Sequence, residues 1–134
     1  MDYISINDDS FIKSEDYQKF LMSNTGRGNL KIRAYAASEA LPVSGLRIIV
    51  STLINGKKVV FFDGETDASG MIKTLVLPTP KLSVDNLNVP ITIVYNILAT
   101  SVEYQQSQEF SVNMYEGVCV VQNINFVPGG NYGS

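Results

Sequence analysis

Leu30-Lys31-Ile32-Arg33-Ala34-Tyr35-Ala36, with the run Leu46-Arg47-Ile48-Ile49-Val50-Ser51-Thr52-Leu53-Ile54-Asn55-Gly56-Lys57-Lys58-Val59-Val60-Phe61-Phe62 that follows, is the stretch that decides the fold. Apolar residues recur at every second position, and side chains alternate across a strand, so the period of two predicts half-buried β-strands. Leu30, Ile32, Ala34 and Ala36 share one face, and Lys31, Arg33 and Tyr35 share the other. After the turn at Pro42-Val43-Ser44-Gly45, the residues Leu46, Ile48, Val50, Thr52 and Ile54 fall on one side of a second strand. Asn55-Gly56 between β-branched runs predicts a type I′ hairpin, because both central residues of that turn need positive φ.

Outward from this core, Thr66-Asp67-Ala68-Ser69-Gly70 reads as a turn, where Asp bonds its own backbone and Gly relieves strain. A strand from Met71 to Leu77 follows it. The segment from Pro78 to Pro90 is the longest expected loop, since its prolines cannot donate to a sheet ladder. Further strands are expected at about Ile91 to Ala99, Glu109 to Met114 and Val118 to Phe126. Seven short strands at regular spacing predict an all-β, seven-stranded Greek-key sandwich. Before it, Ser14 caps a short helix with Glu15 and Asp16 in the first turn and Tyr17, Phe20 and Leu21 on one face. A helix that short does not persist alone and must dock, preferably on its own sandwich. The chain divides into an N-terminal segment (1–27), a sandwich (28–128) and a flexible tail (129–134).

The 134 residues suffice for one core, and 45% apolar with 17% charged residues excludes a chain kept disordered by charge. The net charge is −3 and the ten cations are spread along the sequence, which argues against a nucleic-acid binder. No run approaches the roughly 20 apolar residues of a membrane span. The acidic start, Met1-Asp2-Tyr3-Ile4, is unlike a secretory signal and predicts a cytoplasmic protein, or one packaged into a spore or phage-like particle. Cys119 is the only cysteine. Its run Val118-Cys119-Val120-Val121 predicts a buried, unreactive side chain.

The chain has no histidine and no phosphate-cradling glycine loop, so no catalytic residue, no cofactor and no enzyme activity is expected. Asp63, Glu65 and Asp67 alternate as metal ligands would, but a solvated edge explains them and no metal site is expected. An isopeptide bond between Lys31 and Asn123 or Asn125 lacks a clearly placed carboxylate, and an exposed Lys31 is the simpler reading. With no tryptophan, a glycan platform would fall to Tyr35, Tyr104, Tyr115 or Tyr132.

Pro42-Val43-Ser44-Gly45 leading into a strand, followed by Thr66-Asp67-Ala68-Ser69-Gly70, resembles the pattern of carboxypeptidase-regulatory-like, or transthyretin-like, domains. Tyr95-Asn96-Ile97-Leu98-Ala99 with Tyr104 resembles the family's subsequent aromatic strand, with a departure at Glu103-Tyr104, where the usual motif has Gly-Tyr. The proline-bracketed insert and final apolar strand are also similar to small proteins of spore-forming Firmicutes. The resemblance covers Gly28 to Pro128 and implies a transthyretin-like or immunoglobulin-like sandwich acting as an accessory, adhesion or assembly module. The expected function is therefore a non-catalytic structural or protein-interaction module of a larger bacterial assembly, in the cell envelope, spore or phage; the alternative is a glycan- or cell-wall-binding accessory module. Its partner would be another protein or a second copy, with no nucleic acid and no membrane. The candidate contact residues are Tyr3, Ile4, Tyr17, Phe20, Tyr104 and Tyr115.

Overall fold

The computed structural model describes residues 4–36, 41–82, 92–101 and 105–126. In chain order the elements are β1 (Ile4–Ser5), α1 (Asp9–Ile12), α2 (Glu15–Ser23), β2 (Gly26–Ala36), β3 (Leu41–Pro42), β4 (Arg47–Ile54), β5 (Lys57–Glu65), β6 (Leu75–Thr79), β7 (Ile93–Ser101), β8 (Gln106–Met114) and β9 (Cys119–Asn125). Nine strands thus stand among the described residues where seven were expected, the additions being the two-residue β1 and β3. The centres of the predicted loop (83–91) and tail (129–134), with Tyr3 and Tyr104, lie outside the described residues.

The larger sheet has the order β1-β5-β4-β7-β8. In the smaller one β2 is central, with β6 and β3 sharing one edge and β9 running parallel along the other. Strand β2 alternates at every residue from Gly26 to Ala36, four residues further back than its apolar residues indicate. Glycine makes the extension possible: a Cβ on Gly28 would stand 2.6 Å from the Tyr115 carbonyl oxygen.

Between the sheets, Leu30, Ile32, Ile48, Val50, Tyr95, Ile97, Met114 and Ile124 are fully enclosed. Each such aliphatic side chain contributes about 1.5–3 kcal/mol relative to an exposed one. The Tyr95 hydroxyl donates to the Pro78 carbonyl at 2.7 Å, and burial pushes its pKa well above the ordinary tyrosine value. Asn55 and Gly56, at φ 51° and 77°, form the expected turn between β4 and β5.

The two turn motifs of the sequence are wired to each other. The Thr66 hydroxyl donates to the Val43 carbonyl at 2.6 Å and accepts from the Leu46 amide at 3.0 Å, while the Gly45 amide donates to the Thr66 carbonyl at 2.9 Å. Gly70, at φ 75°, packs so tightly on the Ala34 carbonyl that any Cβ would overlap it. The Ala34 amide in turn donates to the Gly70 carbonyl at 2.7 Å. This knot joins the end of β2 to the start of β4 and so ties the two sheets together.

Strand β5 carries an irregularity that the sequence does not announce. Val50 pairs with Phe62 but Ser51 pairs with Val60, so Phe61 is the extra residue of a β-bulge. Both Phe61 and Phe62 consequently pack against the core. Phe61 meets Tyr95 edge-on at 5.5 Å and Phe20 of α2 at 6.1 Å. Through Phe20, Tyr17 and Phe11 the aromatic contacts continue into the helical segment. The helical segment docks on its own sandwich, with Phe11 buried beside Ile54 and Val59. The Ser14 hydroxyl caps α2 as expected, accepting from the Tyr17 amide at 3.3 Å.

One side chain departs from its expected place: Cys119 is exposed. Its register partner is Asn29, on the solvent face of β2, whereas Ile124 on the opposite parity reaches the core. An apolar run such as Val118 to Val121 does not reveal its own parity.

Candidate functional site

The outer face of the larger sheet follows from parity. Ile48, Val50, Tyr95, Ile97, Val112 and Met114 point inward, so Ser51, Leu53, Val94, Asn96 and Glu109 point outward. On this face lies a cleft of about 590 Å³, lined by Ser51, Thr52, Leu53, Lys58, Thr92, Ile93, Val94, Asn96 and Glu109. That volume is in the range of small-molecule sites. Ser51 and Asn96 are register partners on the adjacent strands β4 and β7 and form the floor.

The rim is apolar on one side and charged at two ends. Leu53 is 70% exposed and Val94 49%. Lys58 pairs with Leu53, and Glu109 pairs with Leu98. The two charges therefore stand on β5 and β8, three strands apart and offset along the strands, with roughly 20 Å between their backbones from standard sheet spacings. Towards α2 the cleft continues into a second recess that shares Leu53, Thr92 and Ile93 and adds Phe20, Met22 and Lys81. The Thr52 hydroxyl donates to the Val94 carbonyl and that of Thr92 to the Met114 carbonyl, while Ser51, buried at the floor, Asn96, Lys58 and Glu109 are the other polar side chains of the lining.

The sequence-predicted contact residues are distributed differently. Ile4 pairs with Val59 of its own sheet, and Tyr17 and Phe20 pack in the chain's own aromatic cluster. Tyr115 is half-buried in the turn between β8 and β9, and Tyr3 and Tyr104 lie outside the described residues. Asp63 binds Arg47 at 2.8 Å, and the Asp67 carboxylate accepts from the Ser69 and Met71 amides, the turn role read from the sequence. Lys31 pairs with Val121, while Asn123 faces Arg33. The cleft residues were missed because each is ordinary where it stands. The one available signal was Ser51, a polar residue inside an apolar run.

No family model and no curated protein sequence matches this chain. Solved structures do resemble it. The Klebsiella pneumoniae 5-hydroxyisourate hydrolase superposes with a TM-score of 0.53 over 77% of this chain and 92% of its own, at 18% identity. An (S)-allantoin synthase gives 0.51 over 79% of this chain and 42% of its own, at 11% identity. Transthyretin from Sparus aurata gives 0.46 over 72% and 90%, at 15% identity. The fold is a transthyretin-like β-sandwich, as the turn motifs implied.

The expected function requires correction. A non-catalytic structural or interaction module, or a glycan-binding accessory module, was inferred from the fold resemblance, yet solved structures of this fold include a hydrolase and a synthase. The fold therefore does not exclude catalysis, and the absence of histidine limits only which groups would perform it. Among the described residues no helix is long and apolar enough to cross a membrane.

Proposed function

From a transthyretin-like sandwich with a cleft on the outer face of its larger sheet, we propose that this chain binds a small polar organic molecule there. The observation that carries the reading is the cleft of about 590 Å³ with opposite charges at its ends. An anionic group of the ligand meets Lys58, a hydrogen-bond donor meets Glu109, and the Ser51 hydroxyl and Asn96 amide read the polar edge between them. Leu53 and Val94 cover its apolar surface. Binding of this kind removes two exposed apolar side chains from water.

A catalytic extension draws support from the enzymes among the solved neighbours. In it Glu109, the cleft's one carboxylate among the described residues, takes up or delivers a proton. The names of those neighbours supply first probes, 5-hydroxyisourate and allantoin.

The test is a thermal-shift and calorimetric screen of small zwitterions, ureides and organic acids against the wild-type chain, Lys58→Glu and Asn96→Leu. A ligand that raises the melting temperature of wild type and of neither variant supports the cleft. Ligands that stabilise all three proteins equally place binding elsewhere and sink the proposal. Ultraviolet decay of 5-hydroxyisourate faster with wild type than with Glu109→Gln supports turnover; equal rates remove the catalytic extension.

A further inference from the structure

On the side of the molecule away from the cleft, the smaller sheet presents a face of one charge. Lys31 and Arg33 project from neighbouring outward positions of β2, Arg27 stands at the start of the strand with its guanidinium bonded to the Asn24 and Gly26 carbonyls, and Lys73 is exposed in the segment between Met71, which bridges to Arg33, and Leu75, which pairs with Leu30. Among the described residues no carboxylate projects from this face. The flanking acids are at its ends and engaged there: Asp67 binds its own turn, and Glu116 accepts from the Leu82 amide. Four of the ten cations of a protein with net charge −3 are thus gathered on one surface.

The neighbouring strand β9 is an edge without the usual protection. It pairs with β2 on one side, and among the described residues no strand lies on the other. Cys119 to Asn125 contains no charge and no proline, the devices that ordinarily keep such an edge from pairing. The ladder fixes which groups are free. The Asn29 amide donates to the Val118 carbonyl and the Phe126 amide to the Tyr35 carbonyl, so even-numbered residues of β9 bond β2. Cys119, Val121 and Asn123 therefore turn their amides and carbonyls outward, although the Asn123 carbonyl already accepts from the Gln122 side chain at 3.0 Å. The Asn125 carbonyl, of the same parity, already accepts from Gln108, which closes the far end.

We infer that this edge and face together bind an extended acidic peptide as an added strand. A strand added beside β9 lies about 9.6 Å from β2, two strand spacings away, and its alternate side chains repeat at about 6.8 Å, the repeat of Lys31 and Arg33. The side chains of β9 between them are short, so a glutamate on the peptide and a lysine or arginine on β2 reach across. Val121, 49% exposed, meets an apolar residue of the peptide. A polypeptide fits better than a nucleic acid, because main-chain hydrogen bonds satisfy the free edge, and the one aromatic on this face of β2, Tyr35, is half-buried.

The experiment uses a fluorescein-labelled octapeptide alternating glutamate with valine and threonine, followed by anisotropy at low and moderate salt. Wild type is expected to bind it, more weakly as salt rises. Val121→Pro, which removes an outward amide and leaves the β2 ladder intact, should weaken binding at least tenfold, as should Lys31→Glu with Arg33→Glu. The double charge variant leaves the core untouched and keeps the test meaningful if the proline variant unfolds. No binding by wild type, equal binding by both variants, or tighter binding of a heparin or oligonucleotide probe that Val121→Pro does not affect would overturn the inference.

Discussion

Thr66→Val removes a single hydroxyl while keeping the shape of the side chain, and it tests whether the knot between the two turn motifs holds the sheets together. Thr66 is 4% exposed, and its oxygen serves two backbone groups, the Val43 carbonyl and the Leu46 amide. Valine leaves both without that partner, the Leu46 amide in a buried position and the Val43 carbonyl in a partly buried one. An unsatisfied buried group costs about 1–3 kcal/mol and a partly buried one less, so the pair predicts a loss of about 2–4 kcal/mol. Thr66→Ser keeps both hydrogen bonds and loses one methyl group, which predicts about 1 kcal/mol. Urea unfolding followed by circular dichroism measures both, with an unchanged dependence on denaturant indicating that the native fold persists. If serine destabilises as much as valine, or valine costs less than about 0.5 kcal/mol, the hydroxyl is not the tie.

Two other consequences are open to direct measurement. The Arg47 guanidinium hydrogen-bonds Asp63 and lowers its pKa below the ordinary 3.8, so the pair contributes stability above that value and loses it as pH falls through the lowered one. Both partners are partly solvated, so Asp63→Asn should cost no more than about 1 kcal/mol at pH 7, and the difference from wild type should fade below pH 4; a constant difference would assign the effect elsewhere. Cys119, exposed on β9, should react fully with iodoacetamide in the absence of denaturant, read by intact mass. Labelling only after unfolding would restore the buried placement.

The sandwich was legible because its determinants are local. Alternation from Leu30 to Ala36, the Asn55-Gly56 turn and the Ser14 cap each follow from neighbouring residues, and each stands in the structure. The bulge at Phe61 was not legible, since a run of four apolar residues does not state where alternation slips. The parity of Cys119 was hidden for the same reason. The cleft lay further still from the sequence, because Ser51, Asn96, Lys58 and Glu109 come from four strands and acquire meaning only from the register that aligns Ser51 with Asn96.

The parallel pairing of β2 with β9 also sets a timetable. Lys31 and Val121 are partners 121 − 31 = 90 residues apart, whereas β4 with β5 and β7 with β8 close as hairpins. Contacts so distant carry a loop-closure cost that local pairs do not, and they slow folding. During synthesis the hairpins of the larger sheet can form as their strands emerge, while β2 waits for β9. Until then one backbone edge of β2, from Asn29 to Tyr35, lacks its partner, so the strand made early is among the last to be fully paired.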